Sequence, residues 1–515
     1  MWIIAGGSKR SGSTLQYNIV SELIERTKTG QRVEFAKPEN FNSIYEKYDG
    51  VEGYKIFKCN ELTPKIRQLI TEGKALGLFC YRDLRDVIVS FKNKDNLNIQ
   101  NSNSVQNLVN QYLQNFHDWI VLNNTLVSKY ENFVDDIESE ISRISLFLGL
   151  EVDDKDVSEI AKKLHRSNLK KSQANPENEV FVKNSTKGFY FDNKTLLHKN
   201  HIHSGEPNQW KNELPHNVLN RIEKTSAEWL YNNGYVISNA KLIDGVSLYS
   251  YSQHGEDNVI WRYFNKKNNG LIIEIGAFDG KHLSNSIALN NVGWKSICVE
   301  PSPSSYRRLK LNRPHSININ AAVVGSKDHK EIEFIDEELG LLSGIDVDLE
   351  DVKNRYEKRG LVLKTPKREL VSAKTLDSIL IDCNIKPKEI DCISIDVEGF
   401  ELEVLAGFDI KKFQPKLLII EANNLEAEQQ LNTYFERLDY QMRYRLGPNL
   451  FYVRDEIKDF NTVLTACKFI NPLHPLGEEY SIKSRNPNVE RKITNSRLSK
   501  YWSKIKHSVK NRLRF

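Results

Sequence analysis

The ten residues Leu271-Ile-Ile-Glu-Ile-Gly-Ala-Phe-Asp-Gly280 constrain this chain more than any other stretch. An Ile-rich run turns at once into Gly, Ala, Asp and Gly. A run this short and apolar reads as a strand covered on both faces in a parallel sheet. The glycine turn lets a ligand approach the backbone, because no Cβ stands in the way. In open α/β sheets ligands bind outside the carboxyl ends of strands. A second apolar strand, Ser296-Ile-Cys-Val-Glu300, follows and ends in an acid suited to accept hydrogen bonds from both ribose hydroxyls. Strand, glycine turn, helix, strand and terminal Glu form the nucleoside-binding half of a Rossmann-like domain.

The spacing Gly276-Ala-Phe-Asp-Gly280 is not the dinucleotide pattern G-x-G-x-x-G, and it offers no set of helix-start amides for a pyrophosphate. It favours S-adenosylmethionine, which has no phosphate, over NAD. Further strands are expected at 317–324, 391–396 and 416–421, with a closing antiparallel hairpin over 440–454 around Gly447-Pro-Asn. Strands alternating with helices imply a mostly parallel sheet with helices on both faces.

The motifs Tyr251-Ser-Gln-His-Gly-Glu-Asp257, Glu274-Ile-Gly-Ala-Phe-Asp-Gly280, Ser284-Asn-Ser286, Gly293-Trp294, Val299-Glu-Pro301, Ser343-Gly344, Ser394-Ile-Asp-Val-Glu-Gly399 and Ile420-Glu421 stand in collinear order. As a set they resemble the FkbM-type methyltransferases, which are similar to O-methyltransferases using S-adenosylmethionine on sugar or natural-product hydroxyls. The resemblance implies that Glu274, Gly276, Ala277 and Gly280 cradle the methionine and ribose part of the donor. It implies that Glu300 holds the ribose hydroxyls with Ser302 close by, and that Ala322 and Val323 edge the adenine. Asp396 at a strand's carboxyl end is the candidate general base, or a ligand of a divalent metal, with Glu398 second. A helix cap formed by the same two acids accounts for them equally well. His282 is a further candidate base, or a surface residue.

The first half opens with a strand at 2–5 and the loop Gly6-Gly-Ser-Lys-Arg-Ser-Gly-Ser-Thr14, then Leu15, Ile19 and Leu23 at helical spacing. Strand, glycine-rich loop and helix start make a phosphate cradle of unpaired N–H groups. Gly7 and Gly12 have the P-loop separation, but Ser13 stands where its Lys belongs, which argues against ATP or GTP hydrolysis. A second strand, 77–81, leads into a helix opening at Arg82-Asp-Leu-Arg-Asp, with Ser90 two turns along. Arg82 and Ser90 are placed to grip a second phosphate. Arg82 and Arg85 also read as a salt-bridged helix start, the weaker reading beside the whole constellation. The Asn-, Gln- and Ser-rich stretch 96–110 reads as a mobile loop over an acceptor.

The Arg10-Ser-Gly-Ser-Thr14 loop and the Arg82…Ser90 stretch, continuing through Lys129-Tyr-Glu-Asn-Phe133, Leu146-Phe-Leu-Gly-Leu150, Trp210 and Trp229-Leu-Tyr-Asn-Asn-Gly-Tyr235, resemble sulfotransferases that use 3′-phosphoadenosine 5′-phosphosulfate. The resemblance implies that Arg10, Ser11, Gly12, Ser13 and Thr14 hold the 5′-phosphosulfate, with Arg10 neutralising the leaving phosphate. It implies that Arg82 and Ser90 hold the 3′-phosphate. His203-Ser-Gly205 falls near the family's late Arg-Lys-Gly clasp but lacks its charges. Many relatives carry a catalytic His in a Lys-Thr-His run. The comparable run here is read as Lys55-Ile-Phe57, which offers no base, and Lys55 or Lys58 is left to contact the phosphosulfate.

At 515 residues two domains with extensions are expected: 1–240, a linker over 241–250, 251–455, and a tail over 456–515. The fold class is α/β, a P-loop-like domain followed by a Rossmann-like one. From Tyr480 to the end there are eleven Lys or Arg and one acid, so this segment carries +10 and the remainder −5 of the net +5. Leu498, Trp502, Ile505, Val509 and Leu513 recur at helical spacing, a basic amphipathic pattern suited to an anionic membrane surface or to docking on a partner. No nucleic-acid track is expected. Six scattered Cys, no room for a signal peptide before the first strand, and no apolar run of membrane-spanning length point to a cytoplasmic enzyme. The whole reads as a bifunctional transferase acting on hydroxyls of a glycan, glycolipid or small molecule. The alternative is a methyltransferase whose front half only binds nucleotide or acceptor.

Overall fold

The computed structural model describes residues 1–33, 36–169, 181–183, 190–192, 194–197, 205–336, 344, 349–350, 353–354, 366–454, 468–470 and 479–481. The basic tail helix, Ser343 and His203-Ser204 lie outside the described residues. The chain divides into two compact units: Met1–Leu230 with Tyr235–Val246, and Tyr231–Gly234 with the residues from Ser247 onward. Residues expected as linker form a 3-10 turn, Ala240–Gly245.

In the first unit β1 (Trp2–Gly7), β2 (Gly30–Arg32), β3 (Tyr54–Lys58), β4 (Ala75–Tyr81) and β5 (Thr125–Lys129) form a parallel sheet in the order β2-β3-β1-β4-β5. β1 is buried along its whole length at the centre, which is why it reads as an unbroken apolar run. The helix Ser13–Thr27 follows β1, and the helix Leu84–Asp95 follows β4. Asp83 caps the second one, its side chain accepting from the Arg85 N–H.

The stretch expected as a loop is instead largely helical. A helix spans Ser102–Ile120, and the Asn101 side chain accepts from the Ser104 N–H at its start. Val105, Val109, Tyr112, Phe116 and Trp119 are buried, an apolar stripe spaced by four and three that the surrounding Asn and Gln conceal.

In the second unit a seven-stranded sheet has β8 (Leu271–Ile275) and β14 (Cys392–Ile395) near its centre. Two strands of three residues in the first unit, β6 (Phe181–Lys183) and β7 (Tyr190–Asp192), pair separately. Around β8 and β14 lie β9 (Lys295–Val299), β10 (Ile317–Ile319), β15 (Leu417–Glu421), β16 (Gln441–Leu446) and β17 (Asn449–Val453), in the order β10-β9-β8-β14-β15-β17-β16. The first five in that order run parallel, and the β16–β17 hairpin closes the sheet antiparallel. The strand expected over 317–324 divides. Asn320 donates to the Glu300 and Pro301 carbonyls at 2.8 and 3.0 Å. Beyond it β11 (Ala322–Val323) joins β13 (Lys367–Lys374), with β12 (Glu331–Asp336) on the far side of β13. Ile273, Ile297, Ile393, Leu418 and Ile420 are wholly buried in the core on one side of the main sheet.

Candidate functional site

In the second unit the chain leaves β8 through a contorted turn. φ is 81° at Gly276, 50° at Phe278, 72° at Gly280 and 61° at Leu283. A Cβ on Gly276 would stand 1.7 Å from the Asp396 carbonyl oxygen, so only glycine fits where the ends of β8 and β14 touch. The Gly276 and Ala277 N–H groups both donate to the Val299 carbonyl at 3.0 Å. Glu300 reaches back to this bend. Its carboxylate accepts from the Phe278 N–H at 2.7 Å and the Ser302 N–H at 2.9 Å. Burial pushes its carboxyl up to about 7, while the two N–H bonds pull the other way.

A cleft opens here, lined by Gly276, Ala277, Glu300, Ala322, Phe334 and Asp396 among others. Three expected donor contacts have other employment. The Glu274 carboxylate borders the cleft but is consumed by the loop beyond it. It accepts from the Asn285 N–H at 2.6 Å and the Ser284 and Ser286 hydroxyls at 2.9 and 2.5 Å, with Arg313 at 3.8 Å. Gly280 packs against Leu309 and Arg313 rather than facing the cleft. Ser302 is fully buried; its hydroxyl caps the helix Pro303–Asn312 and donates to Asp336 at 2.6 Å.

Asp396, Glu398 and Glu421 bring carboxylate oxygens within 4.8 Å of one another. The following helix, Glu401–Ala406, is served by Glu401, which accepts from the Val397 and Gly399 N–H groups, so the two acids before it are not its cap. Asp396 opens toward solvent through the cleft while protein encloses its other sides. Its carboxyl is held well above the usual range, first by burial and then by the charge of Glu421. Glu421 is raised as well, chiefly by burial. The two carboxyls titrate as a pair, each holding its proton more tightly than a solvated acid does. Three hard oxygen ligands in this arrangement also suit a divalent cation.

In the first unit the loop after β1 has φ of 68° at Arg10 and 88° at Gly12. A Cβ on Gly12 would meet the Tyr130 ring at 2.5 Å. Ser11 is fully buried beneath the loop, and Ser13 and Thr14 open the helix. The Arg10 guanidinium pairs with Asp95 and lies 5.4 Å from the centre of the Phe91 ring. Arg82 sits 4.5 Å over the Tyr130 ring and donates to the Glu206 carbonyl at 2.6 Å. Ser90 shares a helix face with Lys94, one turn on. Arg85, by contrast, is structural. It is buried between Asp83 and Glu223 at 2.7 and 2.6 Å and lies 3.7 Å over Trp210.

Buried donors around this loop have no protein acceptor: the Ser8 hydroxyl, Arg82 Nε and Lys94 Nζ. Burial, and then Arg10, pull Lys94 down to about 8. Arg82 has Asp86 at 3.4 Å on its Nη2 side, so only its Nε is left open, whereas the Lys94 ammonium has no acceptor; such open buried donors are costly, and an anion would satisfy them. Nothing in the spacing singled out Lys94, because a Lys in the last turn of a helix is normally a solvated, dipole-facing charge.

Lys55 does not belong to the cradle. It pairs in register with Trp2 at the far end of β3, and its ammonium donates to the Val51 carbonyl. Lys58 instead lies opposite Ala5, at the end of β3 next to the loop. Its ammonium donates to the Ser13 hydroxyl at 3.0 Å and to the Asn60 side-chain oxygen at 2.9 Å, and burial lowers it to about 8. The lysine beside the loop is thus Lys58, three residues later than the expected Lys55. Phe57 is a core residue packed 4.8 Å from Phe41. Asn60, two residues after Lys58, carries no titratable ring.

Residues 2–234 match the family model of the sulfotransferase domain, and residues 274–447 that of the methyltransferase FkbM domain. A sulfotransferase domain precedes an FkbM methyltransferase domain in this chain. Similar solved structures include a retinol dehydratase in complex with androsterone and the inactive cofactor PAP, 17% identical, covering 47% of this chain and 83% of that one at a TM-score of 0.33. A mouse sulfotransferase complexed with PAP is 14% identical over 45% of this chain and 84% of its own, at 0.33. A precorrin-6y C5,15-methyltransferase from Geobacter metallireducens GS-15 is 12% identical over 39% and 84%, at 0.20. No curated protein matches the chain. Among the described residues no helix is long and apolar enough to cross a membrane.

Proposed function

We propose that the two domains are both transferases, one moving a sulfuryl group from 3′-phosphoadenosine 5′-phosphosulfate and the other a methyl group from S-adenosylmethionine, to hydroxyls of a glycan, glycolipid or small molecule. The observation that carries the methyl half is Glu300 turned onto the Gly276 bend in an open cleft. In that position the ionised carboxylate takes two ribose hydroxyl hydrogen bonds, with Ala322 and Phe334 beside the purine. Asp396, with Glu398 and Glu421, holds the acceptor hydroxyl at the other side, directly or through a divalent cation; activity that EDTA abolishes and Mg²⁺ restores separates the cation from the direct contact.

In the sulfuryl half the N–H groups of residues 12–14, Lys58 and Arg10 face the 5′-phosphosulfate, and Arg82, Ser90 and Lys94 the 3′-phosphate. As the S–O bond to the phosphate breaks, negative charge grows on the leaving oxygen, and these donors stabilise it. The presence of Asn60 favours a second reading, in which this half binds the nucleotide without transfer. Asn60 accepts hydrogen bonds but takes up no proton at neutral pH.

The test is incubation of the full chain with both donors and a cell-envelope extract, followed by mass spectrometry. Gains of methyl and sulfate on one product support the bifunctional reading. Methyl alone, with adenosine 3′,5′-bisphosphate still bound in calorimetry, supports the second. Binding of neither donor excludes both. For the basic tail, an anionic membrane surface is the proposed contact, and co-flotation with phosphatidylglycerol vesicles but not with neutral ones checks it.

A further inference from the structure

We propose that His282, oriented by Asp279, takes the proton from the acceptor hydroxyl in the methyl-donor cleft. The inference rests on the reading of that cleft as a methyl-transfer site.

His282 lines the cleft together with Gly276, Glu300 and Asp396, and among the described lining residues it is the one whose side chain carries a nitrogen. Its side chain is about a third exposed, at 32%, whereas that of Asp279 is 4% exposed. The Asp279 carboxylate receives three bonds from the following turn: the Lys281 and His282 N–H groups at 2.9 and 2.8 Å, and His282 Nδ1 at 2.6 Å. Burial pushes its carboxyl up, but the His282 ring beside it and these bonds outweigh that and hold it far below the ordinary range. An ionised carboxylate only accepts, so the hydrogen between the two stands on Nδ1, and in the neutral ring that tautomer puts the lone pair on Nε2. The positive φ values at Phe278, Gly280 and Leu283 fold the chain tightly enough to put Asp279 inside and His282 against the opening. Strain of this kind persists where surrounding structure enforces it, and it collects at functional sites.

The remaining titratable groups among the described residues that line the cleft are carboxyls. Glu274 is saturated by Asn285, Ser284 and Ser286. Glu300 is committed to the ribose side by its bonds to Phe278 and Ser302. Asp396 lies with Glu398 and Glu421 in the carboxyl cluster. His282 is held by Asp279 with its other ring nitrogen toward the opening, and the carboxyl cluster is left to hold the acceptor. The hydroxyl proton passes to His282 Nε2, and the hydroxyl oxygen forms a bond to the methyl carbon. The carbon–sulfur bond breaks with its electron pair staying on sulfur, so the sulfonium becomes a neutral thioether. The imidazolium then returns its proton to solvent through its exposed edge.

Three measurements on the full chain test this. Calorimetry with S-adenosylmethionine alone is expected to give H282Q a Kd within about threefold of wild type. Transfer of labelled methyl from S-adenosylmethionine into cell-envelope extract is expected to fall about 100-fold or more in H282Q, the span of general-base catalysis, with kcat rather than KM carrying the loss. Nitrogen NMR of the His282 ring, assigned by difference from H282Q, is expected to show hydrogen on Nδ1. The inference is overturned by wild-type transfer in H282Q, by hydrogen found on Nε2, or by loss of donor binding in H282Q, which marks a structural residue. It is also overturned if D396N rather than H282Q removes the acidic limb of the pH–rate profile, which returns the proton to Asp396. A wild-type chain that binds no S-adenosylmethionine sinks the methyl-transfer reading itself.

Discussion

At the scale of single residues, steric and electrostatic demands at the two sites make sharp expectations. Gly276→Ala puts a methyl group into the Asp396 carbonyl and an L side chain at a φ of 81°. Overpacking of this kind costs about 1–3 kcal/mol, so a fall in Tm is expected together with loss of S-adenosylmethionine binding in calorimetry. Glu300 sets a pH dependence. Its carboxyl, raised to about 7, binds its proton more tightly in the folded protein than in the unfolded chain. The stability this confers is complete below the unfolded value of about 4.3 and is lost as pH rises through about 7, on the order of 3 kcal/mol across that window. Urea titrations of wild type against E300Q should show that slope flattened in the variant. Donor binding has the opposite sign, because the ribose hydroxyls need the ionised carboxylate, so affinity should drop below about pH 7. In the other domain, Lys94→Met removes an unpaired buried ammonium. The affinity for adenosine 3′,5′-bisphosphate should fall about 10- to 100-fold, the worth of one charged hydrogen bond.

Helix starts and strand registers decide more than the individual residues they carry. The helix Ser102–Ile120 grows from a stretch whose Asn and Gln content signals a loop, and its apolar stripe is what overrides that composition. Asn101 caps it, so Asn101→Ala should cost about 1 kcal/mol, read as a lower midpoint in urea at unchanged slope. The register of β3 against β1 likewise selects Lys58 over Lys55. A three-residue displacement along a strand spans roughly 10 Å, the distance between one end of the cradle's neighbouring strand and the other. A motif match by residue type had no means of choosing between the two lysines. Asn60→His, which restores a titratable ring beside Lys58, should raise sulfuryl transfer to the envelope extract if this domain's base alone is missing. A measured rate that stays at background places the deficit elsewhere.

For the molecule as a whole, two compact units with separate sheets and cores call for two unfolding events rather than one cooperative transition. Each should answer to its own ligand by mass action: at a hundredfold excess over Kd, about 2.7 kcal/mol of added stability. Differential scanning calorimetry should therefore show S-adenosylmethionine moving one transition and adenosine 3′,5′-bisphosphate the other. A single transition displaced by both would contradict that independence.

The sequence by itself determined the two α/β domains and their order, the turn at Gly276 with Glu300 facing it, and the loop around Gly12. Each of these is local: an apolar run, a glycine that needs positive φ, and an acid at a strand's end all write themselves in neighbouring letters. Only tertiary structure decided the rest. It spent Glu274 on residues 284–286, gave Ser302 to a helix cap, moved the cradle lysine to Lys58, stripped Lys94 of partners, and set Glu421 against Asp396 and Asp279 against His282. The physical reason is common to them all. Hydrogen bonds and desolvation depend on which atoms share a few ångströms, and that neighbourhood is assembled from residues as far apart as Glu274 and Arg313 or Asp396 and Glu421.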